Sequence, residues 1–313
     1  MSGALQHTRT RMPGLINPNL APALIWQTNW SNTDGSYNVT TVKTGAEVTI
    51  DWGDGFFGSG DDTHTYADSS TKTVKVTSSD GFGGLTQFSV NYRKGLGPLP
   101  TPSGCSGLTH YAFEGNGHTG TIPSFKKCTS LLSIQLHDGN QCSGTLPSFS
   151  SCTSLVVFDL RGNLVSGTLP SFSACTALQK FYVANNSLSS SLPSFNACTS
   201  MKEFLCGVNS FSGTLPNFAA CTALEMCQGQ ENGFTGYTSG SFATQANLWT
   251  IKFNTNSWGQ AAVDACLADC VTSLGLGGRV TCTVELNGAG MSAPSSMTDH
   301  NTLEAAGWTV DVN

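Results

Sequence analysis

Charged side chains are scarce in this sequence of 313 residues: Asp, Glu, Lys and Arg make up 11% of it, and the formal net charge is −6. No basic stripe is present that could neutralise phosphates, which argues against nucleic acid as a partner. Docking on an anionic membrane through a polybasic patch is disfavoured for the same reason. Long hydrophobic runs are missing too, since no stretch approaches the roughly 20 apolar residues that span a bilayer. We therefore expect no membrane insertion.

Targeting and catalytic motifs are also lacking. Arg9 and Arg11 are followed by a polar, proline-rich run rather than by the apolar core of a secretory signal. We expect a protein that stays where it is made, leaves by lysis, or has lost its signal from this sequence. No G-x-S-x-G, P-loop, CxxC or HxxxH motif occurs. The sequence therefore predicts neither an enzyme nor a bound cofactor.

What the sequence does contain is a repeat of 23 or 24 residues. An asparagine marks each unit, at Asn116, Asn140, Asn163, Asn186, Asn209, Asn232 and Asn256. An apolar residue keeps the same interval, at Leu108, Leu131, Leu155, Leu178, Met201, Leu224 and Leu248. A fixed period in this range indicates a solenoid, whose coils each pack on their neighbours and present a long side surface.

One unit shows the pattern clearly. Leu155, Phe158, Leu160 and Asn163 form the frame L-x-x-F-x-L-x-x-N, and SGTLP follows at 166–170. This unit resembles the leucine-rich repeat, and its tail resembles the G-x-(L/I)-P ending of the plant-type subclass. The frame continues from residue 85 to about residue 259, which predicts about eight coils. Buried residues that alternate with exposed ones imply one strand per coil, stacked into a parallel sheet.

Two columns of the repeat are expected to hold the scaffold. The Asn side chains lie where the chain leaves the strand, so their amides can satisfy backbone groups that no ladder reaches and form an internal ladder. Six cysteines occupy one slot of successive units, at Cys105, Cys128, Cys152, Cys175, Cys198 and Cys221. Free Cys packs as a small hydrophobe, so we expect a reduced, buried column. Neighbouring thiols would lie near enough for disulfides in an oxidising compartment, and that alternative stays open.

Function is expected on the variable residues of the strands, which alternate with the buried positions and share one face. Adjacent coils stand about 4.8 Å apart, so these residues form a nearly flat grid. The centre of this grid is the candidate binding face, made of Asp159, Arg161, Lys180, Tyr182, Glu203, Leu205, Met226 and Gln228. Aromatic, Arg and Met side chains are enriched at recognition surfaces. The alternative is a solvated sheet face on which neighbouring charges pair.

The C-terminal segment, 260–313, departs from the repeat. Helical spacing from Gln260 to Leu274, an alternating run at 280–286, a short helix over 298–306 and a last strand at 308–312 predict an α/β cap. Its runs LNG at 286–288, APS at 293–295 and TLEAAGWTV at 302–310 resemble an ending found in bacteriophage tail and virion repeat proteins. Cys266 and Cys270, four apart on the predicted helix, are interpreted as core contacts rather than metal ligands.

The N-terminal region differs again. Short alternating runs over 23–84, separated by Gly and Asp turns, predict an antiparallel β-sandwich or half-sandwich that caps the first coil. IDWGDG at 50–55 followed by THTY at 63–66 resembles the signature of the polycystic-kidney-disease (PKD) domain. Residues 1–22, rich in Pro and Asn, are interpreted as an arm that becomes ordered when it docks on something.

Two groups of carboxylates could have a chemical role in place of a structural one. Asp51, Asp54, Asp61 and Asp62 could offer oxygen ligands to Ca²⁺, but Asp in a W-G-D-G turn commonly serves local hydrogen bonds, and we predict no metal. Asp159 and Glu203, two coils apart, could match the spacing of a carboxylate pair in a glycan-cleaving enzyme. An open sheet face excludes no water and raises no pKa, so this function is disfavoured.

The sequence thus predicts a mainly β protein: a leucine-rich-repeat solenoid over 85–259 with an N-terminal PKD/Ig-like β module and an α/β C-terminal cap. The function that we infer is a non-enzymatic bacteriophage virion protein, tail-associated or capsid-decorating. Its arm and β module would contact other virion proteins, and its repeat face a host-surface protein or glycan. The alternative is an extracellular bacterial adhesin with PKD and leucine-rich-repeat modules.

Overall fold

The computed structural model describes residues 23–28, 37–43, 48–59, 62–64, 70–79, 82–90, 95–276 and 282–313. The predicted N-terminal arm, 1–22, and the aspartate at position 61 lie outside these ranges. Within them the chain is mainly β, as predicted, with its strands arranged in two long sheets.

The N-terminal strands and the first coil supply both sheets. Their strands are β1 (Ala23–Thr28), β2 (Tyr37–Lys43), β3 (Val48–Asp51), β4 (Phe57–Ser59), β5 (Asp62–His64), β6 (Lys72–Ser78), β7 (Leu85–Val90) and β8 (Gly95–Pro98), of which β7 and β8 belong to the first coil. Strands β1, β3, β4, β6 and β8 join one sheet, and β2, β5 and β7 join the other. The predicted antiparallel runs are therefore present, and they form two layers.

Each coil then contributes one strand to the main sheet, at the L-x-x-F-x-L frame. These strands are β9 (His110–Ala112), β11 (Ser133–Gln135), β13 (Val157–Asp159), β15 (Lys180–Tyr182), β17 (Glu203–Leu205), β19 (Met226–Gln228) and β21 (Thr250–Lys252). They pair in parallel without a register shift, so each column of the repeat becomes a straight row across the sheet. Together with β7, which pairs in parallel with β9, they form eight coils among the described residues.

A second parallel sheet, which the sequence analysis did not predict, begins just after each Asn. Its strands are β10 (Gly117–Gly120), β12 (Gln141–Gly144), β14 (Leu164–Gly167), β16 (Ser187–Ser190), β18 (Ser210–Thr214) and β20 (Gly233–Gly236). The inward residue of each strand, such as Val165, is buried, while the residues on either side of it are not. Short Ser-Gly-Thr runs carry little β propensity of their own, so stacking between coils sets this sheet.

The core between the two sheets is a stack of aromatic rings. Phe172 stacks on Phe149 and Phe195 with ring centroids 5.4 and 6.2 Å apart, and Phe158 meets it edge-on at 5.1 Å. Such pairs contribute about 0.5–1.5 kcal/mol each beyond burial. A column of phenylalanines that recurs with the repeat is fully buried, at Phe125, Phe149, Phe172, Phe195, Phe218 and Phe242. Each ring contacts the next ring of the column, so this packing continues from Phe125 to Phe242.

The Asn side chains connect the turns of successive coils. The Oδ1 atom of Asn163 accepts a hydrogen bond of 3.0 Å from the backbone N–H of Cys142 in the preceding coil. Its Nδ2 donates to the carbonyl of Leu136 in that coil, at 2.9 Å, and to Leu160 in its own, at 3.0 Å. The same two-sided pattern recurs at Asn140, Asn186, Asn209, Asn232 and Asn256. Buried polar backbone groups of each turn thereby gain partners.

The residue before each Asn adopts the left-handed backbone conformation, with φ between 53° and 105°: Gly115, Gly139, Gly162, Asn185, Val208, Glu231 and Thr255. Glycine suits this position because it has no Cβ that would approach the following carbonyl oxygen. Val208 and Thr255 are the least suited of the seven, since their side chains are branched at Cβ.

The C-terminal segment closes the solenoid with helix α1 (Gln260–Leu274), strand β22 (Thr283–Leu286), helix α2 (Thr298–Ala305) and strand β23 (Thr309–Val312). The two strands extend the main sheet in parallel beyond β21. Helix α1 is tied to the last coil by the buried carboxylate of Asp269, which accepts hydrogen bonds from Tyr237, Gly240 and Phe242. Neither helix in the described ranges is long and apolar enough to cross a bilayer.

Candidate binding face of the main sheet

The eight residues of the candidate binding face lie on four neighbouring strands, β13, β15, β17 and β19, or directly after one of them. One row across these strands runs from Asp159 through Tyr182 and Leu205 to Gln228. The adjacent row runs through Lys180, Glu203 and Met226. The structure therefore places all of them on one continuous surface, with Arg161 at its edge.

Asp159 is not exposed, contrary to our expectation: its relative accessibility is 3%. Arg161 covers it, because the guanidinium Nε and Nη2 donate to the two carboxylate oxygens at 3.0 and 2.7 Å. The backbone N–H of Arg161 donates to the same carboxylate at 3.1 Å. A two-pronged arginine–carboxylate pair of this kind is short and directional. The period-2 alternation predicted the direction of Asp159 correctly, but it did not predict the side chain that lies over it.

Tyr182 is also largely buried, at 9% accessibility, and for a related reason. The guanidinium of Arg161 lies 4.8 Å from the centre of its ring, a cation–π contact. The phenol donates a hydrogen bond to Oε2 of Glu203 in the next coil. Burial, together with this carboxylate, raises the pKa of Tyr182 well above its ordinary value, so the phenol stays protonated and keeps donating. Asp159, Arg161, Tyr182 and Glu203 therefore form one linked network across three coils.

The lysines of the face pair with glutamates in the next strand. Lys180 lies 3.1 Å from Glu203, and Lys252 lies 2.6 Å from Glu285. These side chains are about one-quarter to one-half exposed, so each pair contributes little stability in water. Their effect is to neutralise the charges within the face. Pairing of neighbouring charges is compatible with both interpretations of the face, a binding surface and a solvated sheet.

His137 extends the network toward the N-terminal coils. Its Nε2 lies 3.6 Å from the carboxylate of Asp159 and 3.5 Å from that of Glu114, while its Nδ1 lies 2.9 Å from the carboxylate of Asp138. Three carboxylates thus surround one half-buried imidazole. Across the described residues, no group of His, Cys, Asp and Glu has the arrangement of a metal site.

Apolar side chains occupy the C-terminal half of the face. Leu205 and Met226 are partly exposed, and Trp249, which directly precedes β21, is 38% exposed. Trp249 was missed by the sequence analysis, because it directly follows the buried Leu248 and so lies outside the strand alternation. The sequence could have indicated this residue, because the other coils have smaller or charged residues at the equivalent position, where this coil has a large aromatic one.

Charge is distributed unevenly around the solenoid. Between residues 117 and 256, every Asp, Glu, Lys and Arg except Lys126 and Lys127 lies between the Leu column and the Asn column, on the strand or the turn that follows it. The outer face of the second sheet carries short hydroxyl side chains instead, such as Ser166 and Ser212. The chain therefore concentrates its chemical variety on the main-sheet side.

At the N-terminal module, two of the four carboxylates considered for calcium, Asp51 and Asp54, make local contacts. Asp51 accepts a hydrogen bond from the backbone of Gly53 at 2.9 Å, and Asp54 accepts one from Phe56 at 3.2 Å. The other oxygen of Asp54 lies 2.7 Å from Nε2 of His64, a ring that stacks on Trp52. These hydrogen bonds and the ring stack are local contacts that stabilise the turn.

Comparisons with known proteins identify the architecture. No protein-family model matches the sequence, and no curated protein matches it significantly. Among solved structures, the chain is similar to the leucine-rich-repeat ectodomain of the receptor kinase GASSHO1/SCHENGEN3 from Arabidopsis thaliana, in complex with CASPARIAN STRIP INTEGRITY FACTOR 2. The identity is 23% and the TM-score 0.59, over 70% of this chain and 25% of that one.

A second similar structure is the PEPR1–AtPEP1 complex, with 26% identity and a TM-score of 0.59 over 69% of this chain and 30% of that one. A third is the functional domain of InlJ from Listeria monocytogenes, which includes a cysteine ladder. Its identity is 15% and its TM-score 0.50, over 73% of this chain and 49% of that one. This chain thus spans between a quarter and a half of the length of these structures. Its fold is a leucine-rich-repeat solenoid.

Proposed function

We propose that this protein is a non-enzymatic binding protein whose main-sheet face, from β13 to β21, holds a protein ligand. The observation that carries the proposal is the concentration of charged, aromatic and long apolar side chains on this one side of the solenoid. Among structures of the same architecture, the leucine-rich-repeat ectodomain of GASSHO1/SCHENGEN3 is in complex with CASPARIAN STRIP INTEGRITY FACTOR 2. Side chains held in place before a ligand arrives lose little freedom on binding, and the linked network from Asp159 to Glu203 is held in this way.

The two halves of the face contribute differently to this function. The network around Arg161 is internally paired, so a ligand gains little by breaking it, and we assign it a positioning role. Leu205, Met226 and Trp249 present apolar surface that water covers poorly. Burial of such side chains contributes roughly 25 cal/mol per Å², and aromatic anchors commonly dominate interfaces. We therefore place the main contact on these three residues.

The proposal extends to the setting in which the protein acts. We infer a bacteriophage virion component, attached through residues 1–22 and the N-terminal β module, that presents its main-sheet face to a host-surface protein or glycan. The support is the resemblance of the runs at 286–288, 293–295 and 302–310 to endings of phage tail and virion proteins. Mass spectrometry of particles purified from a lysate tests it. Absence of the chain from intact particles would leave only the binding function.

A pair of matched double variants tests the face. Leu205→Lys with Met226→Lys adds two positive charges to the main-sheet face, and Ser212→Lys with Thr235→Lys adds the same charges to the second sheet of the same two coils. The probe is the labelled, purified protein, titrated onto intact cells of the bacterium on which the particles grow. We expect the first variant to bind at least about tenfold more weakly and the second within about twofold of wild type. Equal binding by both variants would overturn the assignment of the face.

A further inference from the structure

His118 is a buried imidazole at the junction between the N-terminal module and the solenoid. It occupies the inward position of β10 and has no accessible surface. The equivalent position of the other coils, two residues after each Asn, holds Cys142, Val165, Leu188, Phe211 and Phe234. A basic side chain therefore stands in a column that is otherwise apolar.

The surroundings of His118 accommodate the neutral ring only. Its Nδ1 lies 3.3 Å from the carbonyl oxygen of Gly97, so the neutral tautomer donates there. Its Nε2 is buried without a hydrogen-bond partner. A Cβ added to Gly95 would lie 2.1 Å from that nitrogen, so the ring fills the space that this glycine leaves and no water fits between them. The ring of Phe113 closes another side, edge-on, with centroids 5.3 Å apart.

Among the described residues that surround the ring, no carboxylate compensates a positive charge. Strand β8 presents glycine backbone to the ring, and the main sheet presents Phe113. Strand β12 contributes the thiol of Cys142, which contacts the backbone carbonyl of His118 at 3.8 Å, and the phenol of Tyr111 packs beyond Phe113. Burial lowers the pKa of His118 to about 4, a shift that the Gly97 carbonyl only partly opposes. Protonation would therefore leave one N–H and a full charge in an apolar site.

Strand β8 abuts Nε2 through Gly95, whose backbone N–H donates to Oδ1 of Asn116 at 2.8 Å. Strand β8 pairs with β10 over three residues in parallel and with β1 over two residues in the antiparallel sense. It is the strand at which the second sheet changes from antiparallel to parallel. Because Nε2 lies against Gly95, strain from a charged ring falls first on β8 and is relieved by movement of that strand away from β10.

We propose that His118 makes the junction between the N-terminal module and the solenoid open in acid: the protonated ring displaces β8 from β10 while the coils stay folded. The open state accepts a proton near the ordinary pKa of 6.5, and the closed state only at lower pH. The opening equilibrium therefore gains up to about tenfold per pH unit below that value. From pH 7 to pH 4.5 the expected increase is on the order of 100-fold.

Hydrogen exchange measured by mass spectrometry on the full chain tests this inference. Peptides that cover 95–98 and 117–120 report the junction, and peptides from β16 and β18 report the coils, all corrected for the pH dependence of intrinsic exchange. We expect the junction alone to lose protection between pH 7 and 4.5. Junction peptides that show no pH dependence, or that lose protection together with the coils, would overturn the proposal.

Variants assign the effect to the imidazole. His118→Phe and His118→Leu introduce residues that the same column already uses in other coils, and we expect both to abolish the acid dependence. His110→Asn, on the exposed face of β9, should leave it unchanged. Acid opening that persists in a folded His118 variant would show that another group is responsible.

Discussion

The side-chain amide of Gln245 donates a hydrogen bond of 2.8 Å to the carbonyl oxygen of Phe218 in the preceding coil. In four earlier coils a cysteine thiol donates the equivalent bond to the carbonyl oxygen of the column phenylalanine one coil before. These thiols belong to Cys152, Cys175, Cys198 and Cys221, and the distances are 3.6–3.9 Å. The substitution that interrupts the cysteine column therefore keeps its hydrogen bond. The column is defined by a buried donor as well as by a small apolar volume.

Gln245 should accordingly tolerate cysteine better than leucine. Gln245→Leu removes one of the two donors to the Phe218 carbonyl, which keeps the backbone N–H of Cys221 at 2.7 Å, and leaves the N–H of Thr244 without its acceptor, Oε1 of Gln245. An unpaired buried group costs about 1–3 kcal/mol, so we expect a loss in that range in the free energy of unfolding. Gln245→Cys restores a donor and should lose less. Urea denaturation measures both, and equal losses would contradict a role for the donor.

The left-handed position before each Asn offers a stabilising change. Val208 adopts φ = 56° although it is branched at Cβ, and its side chain is 37% exposed. Strain of this kind costs about 1–2 kcal/mol, and Asn tolerates the conformation. We expect Val208→Asn to raise the free energy of unfolding by about 1 kcal/mol.

The reverse change supplies the control. At Gly162, with φ = 69°, an added Cβ meets nothing within 4 Å, so Gly162→Ala isolates backbone strain from steric overlap. It should destabilise by about 1 kcal/mol. Thermal unfolding that moves both variants in the same direction would refute the explanation.

The pair of Asp159 and Arg161 should respond asymmetrically to removal of either member. Arg161 is 38% exposed and can be solvated alone, whereas the side chain of Asp159 is 4% exposed. Arg161→Ala removes the guanidinium that covers the carboxylate together with both of its hydrogen bonds, and should cost about 1–3 kcal/mol. Asp159→Asn should cost less, because its side-chain oxygen can still accept from the backbone N–H of Arg161. Adding Asp159→Asn to Arg161→Ala should recover part of that loss. Additive losses in the double-mutant cycle would show that the two side chains act independently.

The cysteines should be unreactive in the folded protein. All 12 thiols are buried and free in the structure. Burial raises the pKa of Cys142 and Cys175 to about 12, so almost no thiolate forms near neutral pH. We expect iodoacetamide at pH 8 to label the native protein slowly and all 12 thiols rapidly in denaturant. Rapid labelling of the native protein, or fewer thiols after unfolding without reductant, would contradict this picture.

The repeat predicted the interior well because every coil has the same pattern of buried positions. A residue such as Phe158 or Asn163 meets its own counterparts above and below, so its environment follows from the period alone. Helix α1, Gln260–Leu274, was predicted at both ends from its apolar spacing. The second sheet was missed because its Ser-Gly-Thr runs have no apolar alternation strong enough to indicate a strand.

The candidate face was harder to predict, since its contacts join different coils. Burial of Asp159 depends on the rotamer of Arg161, and that of Tyr182 on both Arg161 and Glu203. None of these side chains repeats along the chain, so periodicity carries no information about them. The sequence could place the eight residues on one surface, but it could not tell which of them are already engaged with one another.

The Asn ladder has a consequence for how such a chain can change in length. Each Asn binds only its own turn and that of the coil before it, and the bonds are of the same kind at every step. Removal of residues 164–186 would therefore let Asn209 bind the turn that Asn186 now binds. The Asn ladder, the two sheets and the aromatic stack would each be continuous again. The ligand-facing surface can thus grow or shrink by one strand at a time, about 4.8 Å, without any change to either end. The length of the ligand-facing surface is therefore set by the number of repeats.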